Sequence, residues 1–284
     1  MPEELTLWTP YLRFAARVWG PPDGLPVLAL HGWLDNAASF DRLAPLLPGL
    51  RLVALDLPGH GLSDHRPPGV HYHFVDFVAD VAAAADALGW ETFSLLGHSM
   101  GAGIASLLAG TLPERVIRLA LIEGLGPLSA RPADNPLALA KAVAQMNQLQ
   151  SKRLRVFASL EEAGAARQAA SDFSLAAATL LTARSLKPTE GGLTWRSDPR
   201  LLFKSLLYLT EEQVLAFLAR ITAPTVLIGG ESGLLVNRPL MRPRYAQVSR
   251  LEVKFLPGGH HLHLEDPEPV ARILNDFFGC QQTV

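Results

Sequence analysis

Short apolar runs, each ended by a glycine turn, alternate through the first half of this chain with stretches whose apolar residues recur at helical spacing. The runs are PVLALHG (26–32), LRLVALDLPGHG (50–61), FSLLGHS (93–99) and VIRLALIEG (116–124). Runs of that length without polar alternation suit strands buried on both faces. FVDFVADVAAAADALG sets Phe74, Phe77, Val78, Val81 and Leu88 on one helical face, with Gly89 where a helix stops. MGAGIASLLAGTLPE reads as another helix, and SFDRLAPLL as a third with Asn36 or Ser39 as its cap. Strands alternating with helices predict an α/β protein whose mostly parallel central sheet is flanked by helices. Residues 5–19, broken at Pro10, predict a leading hairpin.

The rhythm stops between about residues 126 and 215. Pro127, Pro132 and Pro136 open a segment rich in Ala, Leu and Gln, including PLALAKAVAQMNQLQ and FSLAAATLLTARSL. Apart from the short GGLTWRSDP, no strand pattern interrupts it, so a mostly helical insertion is expected. The rhythm returns with PTVLIGGE, a helix around MRPRYAQV, the strand LEVKFLPGG and a closing helix PEPVARILNDFFG. The predicted organisation is a core from 1 to 125, an inserted helical cap from 126 to 215, and the rest of the core from 216 to 284. A chain of 284 residues is ample for one such domain.

Composition narrows the function. Hydrophobic residues make up 49% of the chain, enough to bury a core. A formal net charge of −2 lacks the basic face that a general nucleic-acid binder needs. The one cysteine, Cys280, rules out an intramolecular disulfide framework and a cysteine-rich zinc site. The N-terminus carries Glu3 and Glu4 where a secretory signal would be basic, and no apolar run is long enough to span a membrane. The expectation is a cytoplasmic protein acting on a small molecule. No cofactor is implied, because G-x-G-x-x-G and a glycine-rich lysine loop are both missing.

Gly97-His98-Ser99-Met100-Gly101 matches G-x-S-x-G between a predicted strand and a predicted helix, the context that gives this motif meaning. A hydroxyl projecting from a sharp strand-to-helix turn needs unbulky residues two positions to either side. The turn also sets the serine at a helix N-terminus, where free N–H groups favour developing negative charge. Serine attacks poorly until a base removes its proton. Of nine histidines, the candidates lie in Gly258-Gly259-His260-His261-Leu262-His263, a loop that shares the sheet edge of Ser99. His31 and His98 adjoin glycine turns and read as orienting or structural.

These motifs, LALHGWLDNAASF, ALDLPGHGLSD, LLGHSMGAGIA and GGHHLHLEDPEPVA in that order, resemble the α/β-hydrolase fold family over essentially the whole chain. The likeness is to its cap-bearing branch of esterases, carbon–carbon bond hydrolases, haloperoxidase-like enzymes, epoxide hydrolases and haloalkane dehalogenases. The family's spacing of histidine to the Glu-Asp-Pro stretch picks His260 as the base. It also implies backbone N–H groups of Trp33 and Met100 as the oxyanion hole. The family usually supplies its acid where this chain has Gly233, which has no carboxylate. Two replacements stand out: Glu123, which ends an apolar strand at the position some relatives use, and Glu231, close by in sequence. Glu123 is the favoured acid and Glu231 the alternative.

The three neighbouring loop histidines also invite a zinc reading, but the family register accounts for His260 without one, so no metal site is expected. Epoxide hydrolases and haloalkane dehalogenases need an aspartate where Ser99 stands, since water must attack an enzyme ester. Hydrolysis of a small to medium apolar carboxylic ester through an acyl-enzyme is therefore the leading expectation. Carbon–carbon hydrolysis or a lyase reaction with the same residues, and a non-catalytic ligand-binding role, are the alternatives.

Overall fold

The computed structural model describes residues 2–147, 154–203, 205–233 and 238–279, so Cys280 lies outside the described residues. The N-terminal hairpin pairs β1 (Glu3–Trp8) with β2 (Arg13–Trp19). It leads into β3 (Leu25–Leu30), β4 (Leu50–Leu55), β5 (Phe93–His98) and β6 (Val116–Ile122). Between β4 and β6 run helices α1 (Asp76–Ala87) and α2 (Met100–Thr111).

The segment after β6 carries α3 (Asn135–Asn147), β7 (Val156–Phe157), α4 (Leu160–Gln168), α5 (Leu175–Ser185), β8 (Leu186–Thr189), β9 (Gly192–Trp195) and α6 (Glu211–Leu218). Then come β10 (Thr225–Gly230), α7 (Met241–Gln247), β11 (Leu251–Leu256), α8 (Leu262–Glu265) and α9 (Pro267–Phe278).

The main sheet has the order β1-β2-β4-β3-β5-β6-β10-β11, parallel from β4 to β11 with the hairpin antiparallel at one edge. Side chains of a strand alternate between faces. Leu28 and Leu30 of β3 therefore enter one core with α1, α2 and α6, while Val27 and Ala29 enter the opposite one with α9. Leu119 and Leu121 of β6 divide in the same way from Ala120 and Ile122. Helix α2 is buried on nearly every side, which its Gly, Ala and Leu composition permits; α9 buries one face, with Pro267, Val270, Ala271, Leu274, Asn275 and Phe278. Strand order reverses around β3, with β4 on one side and β5 on the other. A crevice opens at such a point beyond the C-terminal strand ends.

Two sequence expectations need correction. SFDRLAPLL does not form an α-helix but two short 3-10 turns, Ala37–Phe40 and Ala44–Leu46. Pro45 lacks the N–H that an α-helix would direct back to Asp41, so the run tightens instead. The segment after β6 is mainly helical but also holds a three-stranded antiparallel sheet, ordered β7-β9-β8. Thr189 pairs with Gly192 across a two-residue Glu190-Gly191 turn, and Gly191 has φ 81°. That glycine pair was the readable hairpin signal.

Candidate active site

Ser99 stands between β5 and α2 with φ 53° and ψ −111°, a conformation rare for any residue but glycine. Close packing of backbone forces the flanking glycines. A Cβ on Gly101 would lie 2.0 Å from the carbonyl oxygen of Leu30, and one on Gly97 would lie 2.5 Å from that of Gly101. The bend presents Ser99 Oγ at the C-terminal edge of the sheet, partly exposed.

His260 reaches it from the loop after β11. Its Nε2 is 2.9 Å from Ser99 Oγ, and its Nδ1 is 3.0 Å from Glu123 Oε2. A carboxylate only accepts, so Nδ1 carries the proton and Nε2 offers a lone pair to the serine hydroxyl. Glu123 follows β6, is fully buried, and accepts the Gly230 N–H on Oε1 at 2.8 Å. Its backbone has φ 54°. Gly233 makes room for it: a Cβ there would sit 2.1 Å from Glu123 Oε1. Glu231 is exposed in the turn after β10, and the hydrogen bonds of the His260 ring go to Ser99 and Glu123.

Trp33 and Met100 flank the serine. Among the described residues, the backbone N–H of neither meets a hydrogen-bond acceptor. Trp33 is half exposed, and its indole N–H donates to the carbonyl of Leu201 at 3.0 Å, so its side chain bridges to the inserted segment rather than packing in the core. Both residues line a cavity of about 160 Å³ with Phe74, Phe77, Met146 and Phe203. A second cavity of about 280 Å³ lies beyond Leu34, between Phe157, Leu181 and Trp195; Ser99 and His260 line neither cavity, and the first adjoins the serine through Met100.

The other buried histidines support the loops. His31 accepts the Leu57 N–H on Nε2 at 3.0 Å and donates from Nδ1 to the Gly32 carbonyl; burial holds it neutral, with a pKa lowered to about 4. His60 packs edge-on against His31, and burial together with that neighbour lowers it to about 3. His98 donates from Nε2 to the His260 carbonyl at 2.9 Å, and its burial depresses it well below the ordinary value. His263 shares a hydrogen bond of 2.9 Å with Ser39 Oγ. The three loop histidines thus face three different ways, which a shared zinc ion would not permit.

Sequence reasoning passed over Asp35 and Asp198. Asp35 is buried one turn beyond Trp33 and pairs with Arg167 of α4 at 2.7 Å. Burial works to raise its pKa, but the facing His261 imidazole and the charges of Arg167 and His98 hold the carboxyl well below the usual range. Asp198 accepts from Tyr72 Oη at 2.8 Å and from the Arg200 guanidinium, while its amide donates to the Gly59 carbonyl. WRSDP therefore fastens the inserted segment to the core loop after β4. Arg196 in that stretch spends its Nε on the Leu186 carbonyl. The Asp-Pro pair opening a 3-10 turn at Pro199 was the available signal for Asp198; Asp35 had none.

A parallel sheet whose order reverses at β3, with a serine on the tight turn after β5, is the arrangement of the α/β hydrolases. The sequence profile of the alpha/beta hydrolase fold matches residues 26–267, and the chain belongs to that family. A serine hydrolase-like protein of Danio rerio is 33% identical, over 98% of this chain and 89% of its own length. The crystal structure of a hypothetical protein from Pseudomonas aeruginosa is 48% identical with a TM-score of 0.93, covering 98% of this chain and 99% of that one. A thioesterase domain from the curacin biosynthetic pathway is 28% identical with a TM-score of 0.84, covering 96% and 99%. Among these relatives the chain stands as a serine hydrolase of the fold.

Proposed function

We propose that the chain hydrolyses small apolar carboxylic esters through an acyl-enzyme on Ser99. The continuous run of hydrogen bonds from Ser99 Oγ through His260 to the buried carboxylate of Glu123 carries this reading. His260 Nε2 takes the hydroxyl proton as Oγ attacks the ester carbonyl. Glu123 keeps the imidazole in the useful tautomer and balances the imidazolium that forms. The N–H groups of Trp33 and Met100 receive the oxyanion, aided by the N-terminus of α2. His260 then protonates the departing alcohol, and a water activated by the same Nε2 releases the acid.

The segment from 126 to 215 acts as the cap over this site, and its Met146 and Phe203 close the cavity beside Met100. About 160 Å³ suits an acyl or aryl group of benzene size, which places the substrate at the small end of the range. The thioesterase relative extends the reading to short acyl thioesters. The test is labelling by a fluorophosphonate, together with hydrolysis of a panel of activated esters and thioesters of increasing acyl length. Wild type should label at one serine and prefer the short acyl groups. Ser99→Ala should neither label nor turn over above background, and undiminished turnover by that variant would end the proposal.

A further inference from the structure

Beside His260, a carboxylate and two imidazoles converge without meeting. Asp35 Oδ2 is 3.8 Å from His98 Nδ1 and 3.6 Å from His261 Nε2, and one ligand atom from each residue lies within 4.8 Å of the other two. These separations are long for hydrogen bonds. They approach the edge of a tetrahedron around an ion with ~2.1 Å bonds, which is about 3.4 Å.

The hydrogen bonding fixes what each atom can offer. The carbonyl of His260 can only accept, so His98 Nε2 carries the proton and Nδ1 presents a lone pair. That Nδ1 is fully buried, has no hydrogen-bond partner, and looks toward a carboxylate oxygen, a second acceptor. Two acceptors facing each other out of water favour a cation between them, since the Arg167 guanidinium takes only the other carboxylate oxygen. His261 turns Nε2 to the same oxygen while its Nδ1 lies 3.4 Å from Asp172 Oδ1, the outer carboxylate that typically orients a metal-binding imidazole. Gly32 leaves the space clear, since a Cβ there would come 2.9 Å from Asp35 Oδ2 and 3.0 Å from His98 Nδ1. His261, the least buried of the three, gives the way in.

We propose that Asp35, His98 and His261 form a site for one divalent transition-metal ion of the zinc class. Two imidazoles and a carboxylate suit such an ion and leave a fourth position for water.

The experiment titrates metal-free protein with Co²⁺ and follows the visible absorption of four-coordinate cobalt. Expected are one Co²⁺ per chain, loss of the band in His261→Gln, and affinity weakened ~10–100-fold in Asp172→Asn. Ser99→Ala should bind cobalt as wild type does, so the metal result stands or falls apart from the esterase result. No cobalt band, or a band unchanged in both His261→Gln and Asp172→Asn, would overturn the proposal.

Discussion

At φ 54°, Glu123 holds a backbone conformation that costs a non-glycine residue on the order of 1–3 kcal/mol. What it gains is reach: from the end of β6 its carboxylate passes under His260 and takes the Gly230 N–H as well. The space its carboxylate fills is the space a side chain at 233 would need. In this geometry the two positions exclude each other, so the acid can come from one or the other but not both. Glu123→Gln should lower kcat/KM by about 10³–10⁴-fold through the wrong imidazole tautomer, while Glu231→Gln stays near wild type. Gly233→Asp alone should cripple the enzyme, because the new Cβ collides with Glu123. Glu123→Gly combined with Gly233→Asp should recover part of the activity that Glu123→Gly loses, and steady-state kinetics on one activated ester decide it. No recovery would mean that the loop around 233 cannot present a carboxylate. Ser99 and His260 were legible because each sits in a short motif with its own chemistry. For the acid, the sequence left two candidates, since the choice depends on a backbone angle and on depth of burial. Asp35 and His98 are far apart in the chain and share no pattern, so their convergence could only be seen in three dimensions.

Among the elements, α5 shows how the inserted segment is held against the sheet. Arg184 near its end is buried, donates Nε to both oxygens of Asp56 after β4, and pairs with Glu4 of β1 at 2.7 Å. Asp56 in turn accepts the N–H groups of Ala37 and Leu62, so one carboxylate joins the 3-10 turn, the loop after β4 and α5. Removing one partner of a buried pair leaves the other charged and unmatched, at a cost of about 3–5 kcal/mol. Arg184→Ala should therefore lose roughly that much stability, near the low end because Asp56 keeps its two N–H donors; urea unfolding measures it. Arg184→Met, which refills the volume, should lose less if desolvation is a large part of the balance, and equal losses would contradict that. The strands and most helices could be read from period and punctuation, because burial on two faces writes itself into continuous apolar runs. In the small sheet β7-β9-β8 only the glycine turn between β8 and β9 could be read, since strands of two to four residues are too short for any period to show. Nor could the fastening of α5, whose partners Glu4 and Asp56 lie more than a hundred residues away in sequence.

Across the whole molecule, several buried side chains are held neutral by their surroundings, and they make stability depend on acid. No helix among the described residues is long and apolar enough to cross a membrane. Burial lowers His31 to about 4 and His60 to about 3, whereas each histidine in an unfolded chain titrates near 6.5. Between about pH 6 and 4 the unfolded chain therefore holds two more protons at these positions than the folded one. Asp80 works the other way. Burial, only partly answered by Arg66, raises it to about 6, so the folded state keeps a proton there that the unfolded state has lost. Among these three groups the balance is one proton, or ~1.4 kcal/mol of stability lost for each pH unit of acidification through that window, and buried His263, lowered to about 3, and His98 steepen the loss in the same direction. Stability from the two histidines is complete above about pH 6.5 and fades as pH falls toward their folded values. Urea midpoints at pH 7, 6 and 5 should decline accordingly. His60→Gln should flatten the slope by about one proton, and Asp80→Asn should steepen it by about one, because it removes the opposing group. Three parallel slopes would show that neither side chain carries the linkage, and opposite shifts in the two variants would tie the acid sensitivity to the loops that support the serine and its histidine.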